Sequence, residues 1–155
     1  MEEKTTVEEN IDTDGIIELQ SHLNIYHSLD YNLLKLDKKY ATLEVSSDRY
    51  KKVDSSEYIW SGDIVEGAML ASQLVVNEKD FFIISLSLDL LNPIKESAKI
   101  IYDAMIEIDT PIKKIVKVDA KINDILFFQG RVSLVKLDES KVIETFKDKE
   151  QQDQI

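Results

Sequence analysis

Ser61 to Asn77 reads SGDIVEGAMLASQLVVN, and the spacing of its apolar residues decides the fold. Ser61 is placed to cap a helix, Asp63 puts a negative charge in the first turn, where the helix dipole favours it, and Asn77 can close the far end. These signals bound about four helical turns. Ile64, Val65, Ala68, Met69, Ala71, Leu74, Val75 and Val76 cover most of the circumference, so the helix is expected to be buried on nearly every side, as the axis of the fold. Roughly 1.5 to 3 kcal/mol for each such side chain is a gross term large enough to hold a helix in a core. At about 100° per residue, Asp63, Glu66, Leu70, Gln73 and Asn77 fall within roughly 80° of one another, so the polar groups share one narrow stripe. That stripe is either the solvated edge of a core helix or the wall of a pocket.

Beyond the helix the period changes from helical to alternating. In FFIISLSLDLL, Phe81 to Leu91, the residues Ile84, Leu86, Leu88 and Leu90 alternate with Ser85, Ser87 and Asp89, a strand with one buried and one wetter face, broken by Asn92-Pro93. Residues 98–108, 112–122 and 125–137 repeat the alternation, separated by Asp109-Thr110-Pro111 and by Asn123-Asp124. These last three strands are expected to form an antiparallel meander whose outer faces carry both signs of charge and favour cross-strand pairing. Ahead of the helix, Tyr31 to Leu36 and Tyr40 to Ser46 read as a hairpin turned at Asp37-Lys38-Lys39. The polar run SDRYKKVDSSEYIW, 47–60, leads from it into the helix, and Trp60, the only tryptophan, is expected to plug the core there. Further out, Ile16, Leu19, Leu23 and Tyr26 recur at helical spacing and predict an amphipathic helix over 13–28. Residues 1–11 lack periodicity and are expected to be disordered, and 138–155 read as a charged tail with at most one short helix.

Composition sets the class. A chain of 155 residues that is 43% apolar and 32% charged suits one domain, here 12–137, with a real core. A net charge of −11 with no basic cluster argues against a nucleic-acid partner. No apolar run reaches a membrane span, and the acidic start MEEKTTVEEN is unlike a signal peptide, so a cytoplasmic location is expected. The absence of cysteine excludes disulfides and thiolate chemistry, and two histidines, His22 and His27, are too few for most histidine metal sites. Glycine-rich phosphate loops and Gly-x-Ser-x-Gly turns are absent as well.

A strand pair, a long loop, one buried helix and a meander of long strands is the order of an α+β fold in which an antiparallel sheet wraps a central helix. It resembles the hotdog fold over residues 31–137. The segment SLSLDLLNPIKESAKIIYDAMIEID, 85–109, looks like that family's strand, proline turn and outgoing strand, and ILFFQGRVSLVKL, 125–137, looks like its closing strand. Within the hotdog proteins the chain is most similar to the ligand-binding half of the malonyl-CoA-responsive repressor of bacterial lipid synthesis, without the DNA-binding helices that precede it there.

The resemblance implies a homodimer, or a higher oligomer built from it, with sheets joined edge to edge. It also implies acyl-CoA or acyl-carrier-protein thioesters bound beside the central helix, with no other cofactor and no metal. Trp60, Ser61, Gly62, Glu66, Gly67, Leu70, Gln73 and Asn92 are the implied ligand contacts. In catalytic relatives a His-Gly-Gly-like segment opens the helix, and an acid within it activates water or attacks the thioester. Here the opening is Trp60-Ser61-Gly62-Asp63, without histidine, and the usual acid position falls on Met69. Leu91-Asn92-Pro93 stands where many relatives carry arginine, which weakens the case for an anionic acyl group. Glu66, or less readily Asp63, is the remaining candidate for a general base or nucleophile. Three functions follow: a catalytically silent acyl-thioester sensor, an acyl-CoA thioesterase using Glu66, and a dimeric interaction scaffold.

Overall fold

The structure is a computed structural model and describes residues 17–95 and 98–144. In chain order its elements are helix α1 (Leu23–Ser28), strands β1 (Asn32–Leu36) and β2 (Tyr40–Ser46), helix α2 (Ser61–Val76), and strands β3 (Phe81–Leu90), β4 (Lys99–Asp109), β5 (Lys113–Ile122) and β6 (Ile125–Lys136). Short 3-10 turns at Ser47–Arg49 and Glu139–Lys141 follow β2 and β6. The six strands form one antiparallel sheet in the order β1-β2-β4-β5-β6-β3. This is the α+β arrangement expected, with β4, β5 and β6 as the meander and β3 returning to pair with β6 at the edge.

Local chemistry explains the turns. The Asp37 carboxylate accepts the backbone N–H groups of Lys39 and Tyr40 at 2.8 and 2.7 Å, closing the first hairpin. Asn123 and Asp124 both adopt positive φ, 51° and 67°, the backbone a tight hairpin needs to follow the strand twist. At the start of β5 the buried Lys114 ammonium is held by Asp109, by the Thr110 carbonyl at 3.1 Å and by Glu78 at 3.8 Å, and lies 4.9 Å from the Phe81 ring centre.

Helix α2 packs on the concave face. Ile64, Ala68, Ala71, Leu74 and Val75 are fully buried against inward residues of the sheet such as Leu43, Ile100, Tyr102, Val118 and Leu134. Asn77 closes the helix in the left-handed conformation, φ 56°, its N–H on the Gln73 carbonyl. Its side chain does more: Oδ1 accepts Gln20 N–H at 2.7 Å and Nδ2 donates to the Glu18 carbonyl at 3.0 Å. Ile17 N–H meanwhile donates to the Leu36 carbonyl.

These bonds correct the reading of the amino-terminal region. Of the helix expected over 13–28, only Leu23–Ser28 forms among the described residues: 17–20 are not helical, held instead by bonds to Leu36 and Asn77, and His22 adopts φ 54°. Residues 1–11, and all but the first part of the 138–155 tail, lie outside the described residues. The edge strand differs too. A bulge between Ile83 and Ser85 shifts the alternation, so Ile84 is 57% exposed and the inward face of β3 runs Phe81, Ile83, Leu86, Leu88, Leu90. No helix among the described residues is long and apolar enough to cross a membrane.

Candidate functional site

The first half of α2 meets the loop 47–60, and the two candidate acids point to different parts of it. The helix begins at Ser61 with the extended Trp60 in the capping place and no side-chain cap, so Ser61 is its first residue and not its cap. Asp63 is buried. Its Oδ2 accepts Lys51 N–H at 2.6 Å and its Oδ1 takes Lys51 Nζ at 3.2 Å. With Trp60 N–H on the Lys51 carbonyl and the Lys52–Ile59 bridge, Asp63 fixes the loop to the helix, each of its oxygens engaged by Lys51. Trp60 does not plug the core. It is 49% exposed, with Lys51 Nζ 5.6 Å from its ring centre, and its indole covers Gly62, where an added Cβ would fall 2.5 Å from the ring.

Glu66 heads a chain of hydrogen bonds. Its Oε1 accepts the Tyr31 hydroxyl at 2.9 Å and pairs with the Arg49 guanidinium at 3.0 Å. Tyr31 meets Tyr50 at 2.6 Å, Tyr50 meets Tyr102 at 2.8 Å, and the Tyr102 hydroxyl donates to the Ile64 carbonyl at 2.9 Å. Tyr31 and Tyr102 each spend their proton on the ends of this chain, which leaves Tyr50 one proton for two contacts. Arg49 lies 5.0 and 5.7 Å from the ring centres of Tyr31 and Tyr50, a stacked position that suits a guanidinium. Burial, which disfavours the phenolate, pushes the Tyr50 hydroxyl up to about 12 and raises Tyr31 and Tyr102 as well.

Gly67 makes room for this cluster. A Cβ there would lie 2.2 Å from Tyr102 Cζ, so the missing side chain makes room for a phenol. Leu70, expected on the polar stripe, faces the core along with Asp63. The open stripe is rotated to Gly62, Val65, Glu66, Met69 and Gln73. Met69 is 36% exposed. Asn92 lines a separate recess of about 360 Å³ with Pro93, Ile94 and Phe127, which no α2 residue lines. Towards the free edge of the sheet, Leu86, Leu88 and Leu90 are 38, 38 and 41% exposed although they face inward. The site thus combines a polar cluster around Glu66 with an uncovered apolar edge. Among the described residues no group of three His, Asp or Glu side chains is placed to hold a metal ion.

The sequence did not point to Tyr31, Arg49 and Tyr50. Tyr102 alone carried a signal, since its inward register among Ile100, Ala104 and Ile106 marks a phenol that must find a buried partner.

No protein-family profile and no curated protein sequence matches the chain. Solved structures do. An uncharacterised protein of Pyrococcus horikoshii, PH1136, superposes with a TM-score of 0.73 at 23% identity, over 80% of this chain and 95% of its own. Thioesterase HI1161 of Haemophilus influenzae superposes at 0.64 with 14% identity, over 81% and 94%. The smu.793 protein of Streptococcus mutans, solved with acetyl-CoA bound, superposes at 0.60 with 16% identity, over 70% and 90%. The fold is the hotdog fold. At these identities the likeness is one of architecture, and within the hotdog frame the tyrosine cluster and the Arg49–Glu66 pair are features of this chain's own residues.

Proposed function

We propose that the protein is a catalytically silent hotdog homodimer that binds an acyl thioester, as acyl-CoA or on an acyl carrier protein, in a cytoplasmic sensing or regulatory role. A likeness to the ligand-binding half of the malonyl-CoA-responsive repressor belongs to the same reading. One observation carries the preference for binding over turnover. Both acids of the α2 opening are tied to neighbours, Glu66 through Oε1 to Tyr31 and Arg49, and Asp63 through its two oxygens to Lys51. A general base has to release its lone pair to a water or thioester, and a carboxylate oxygen shared by a guanidinium and a phenol is poorly placed to do so.

Support for the dimer comes from the sheet edges. The β1 edge is short and carries Lys35, features that discourage pairing. Strand β3 has ten residues with one charge, Asp89, and no proline. A second copy paired along β3 would cover Leu86, Leu88 and Leu90 and place an apolar slot beside Val65 and Met69. An acyl thioester fits such a slot, since it buries a chain and needs few polar partners.

The experiment compares hydrolysis of an acyl-CoA panel, followed by thiol release, with thermal stabilisation by the same compounds. Stabilisation without hydrolysis is expected, about 2.7 kcal/mol when ligand is 100 times its Kd. Hydrolysis lost in Glu66→Gln would establish the thioesterase instead. Neither effect would leave a dimeric scaffold, and a monomer by light scattering would overturn the dimer.

A further inference from the structure

On the outer face of the sheet, away from α2, an open groove of about 1010 Å³ runs between β3 and the chain that follows β6. Its floor is a cross-strand row. Phe82 of β3 pairs with Val135 of β6, which pairs with Lys113 of β5, so the three side chains share one face. Val142 and Ile143 form the facing wall and Ile112 closes one end; these three are 46, 79 and 69% exposed, and Phe82 is 49% exposed. Apolar exposure of this kind, gathered in one place, marks a binding surface.

Charge identifies the occupant. The chain carries a formal charge of −11, yet the groove is lined by Lys113, Lys136 and Lys141 against Asp138 and Glu139, three cations to two anions. Lys136 is tied to Asp80 at 3.5 Å and Lys141 to Asp138 at 4.0 Å, whereas Lys113, in the row of the apolar floor, and Glu139, in the chain after β6, make no ion pair among the described residues. We infer that this groove is a second ligand site, distinct from the α2 opening, for a single-chain amphiphile with an anionic head such as a fatty-acid carboxylate. The alkyl chain lies on Phe82 and Val135 under Ile143, and the carboxylate meets Lys113. A long side-chain ammonium at the rim of an apolar trough satisfies both ends of such a molecule, its stem on the chain and its charge on the head.

The test is calorimetric titration of the full chain with dodecanoate, dodecanol and dodecyltrimethylammonium, each below its aggregation concentration. Dodecanoate is expected to bind one per chain and more tightly than the other two. Lys113→Glu should weaken dodecanoate by at least about tenfold, since it sets a like charge against the head, and leave dodecanol unchanged. Ile112→Asp, at an exposed turn where folding is not at stake, should weaken both. The inference is overturned if dodecanoate does not bind, if the three probes bind alike and Lys113→Glu alters none of them, or if acetyl-CoA displaces dodecanoate, which would put the chain in the α2 slot. A change of oligomeric state in Ile112→Asp would also overturn it, by showing that a second copy covers the groove.

Discussion

Replacing Gly67 by alanine pits two effects of known sign against each other. On an exposed helix the change should stabilise, by about 1 kcal/mol, because alanine loses less backbone entropy than glycine. Here the new methyl group would lie 2.2 Å from Tyr102 Cζ and 2.6 Å from its hydroxyl oxygen. Tyr102 cannot step aside: it is fully buried, and its hydroxyl is fixed by Tyr50 and by the Ile64 carbonyl. Overpacking of this kind costs about 1 to 3 kcal/mol, and a displaced hydroxyl that strands a buried partner adds about 1 to 3 kcal/mol. With the propensity gain subtracted, the net loss centres near 3 kcal/mol. Gly62→Ala is the control. Its methyl group would also meet a ring, at 2.5 Å, but that ring belongs to the half-exposed Trp60 and can swing into solvent, so this substitution should be neutral or stabilising by up to about 1 kcal/mol. Urea unfolding at one protein concentration reads both as shifts of midpoint at constant slope. The double variant Gly67→Ala/Tyr102→Leu should recover part of the loss, because leucine vacates the space, and the cycle would show strong coupling. If Gly67→Ala alone is as stable as the parent, the tight seat of Tyr102 against α2 is wrong.

The buried phenols make a pH prediction. A tyrosine whose folded pKa lies above its unfolded value of about 10 contributes stability that is intact below pH 10 and lost as pH rises towards the folded value. With Tyr50 pushed up to about 12 and Tyr31 and Tyr102 raised in the same direction by burial, absorbance at the phenolate band should leave these three silent above pH 10. They should then appear together with loss of ellipticity as the chain unfolds between about pH 10 and 12; early, reversible titration of all six tyrosines in the folded protein would contradict the cluster. Asp63→Ala removes the acceptor of the Lys51 N–H and should cost about 1 to 3 kcal/mol, with protease cleavage appearing first within 51–60. An unchanged melting temperature and cleavage pattern would show that the loop is held by other contacts.

The order of elements was readable because long periodic segments are over-determined. Sixteen residues from Ser61 to Val76 are helical where capping and periodicity place a helix, and β2 spans Tyr40 to Ser46 as its alternation requires. Where the sequence misled, a single polar contact had outweighed a pattern. Ile16, Leu19, Leu23 and Tyr26 have helical spacing, but Asn77 takes the backbone of Glu18 and Gln20 for its own side-chain bonds. The helix stripe failed for a related reason. Periodicity treats Asp63 as a polar residue that seeks water, whereas the loop offers it a backbone donor and buries it. The surroundings of Glu66 lay beyond pattern altogether, since Tyr31, Arg49 and Tyr50 stand in segments whose spacing says nothing about a shared centre, and only the wrapping of the sheet brings them to one place.

The wrapping also gives the tyrosine chain a place in folding order. Its links join residues 19, 35, 52 and 38 positions apart, for Tyr31–Tyr50, Tyr31–Glu66, Tyr50–Tyr102 and Tyr102–Ile64. The complete chain cannot close before β1, the turn after β2, α2 and β4 are all in position, whereas the β5–β6 hairpin needs only its two-residue turn. Contacts that demand so much loop closure form late and carry low φ-values. Weakening them should therefore speed unfolding and leave the folding rate nearly unchanged, so the cluster around Glu66 governs how long the native state lasts more than how fast it is reached.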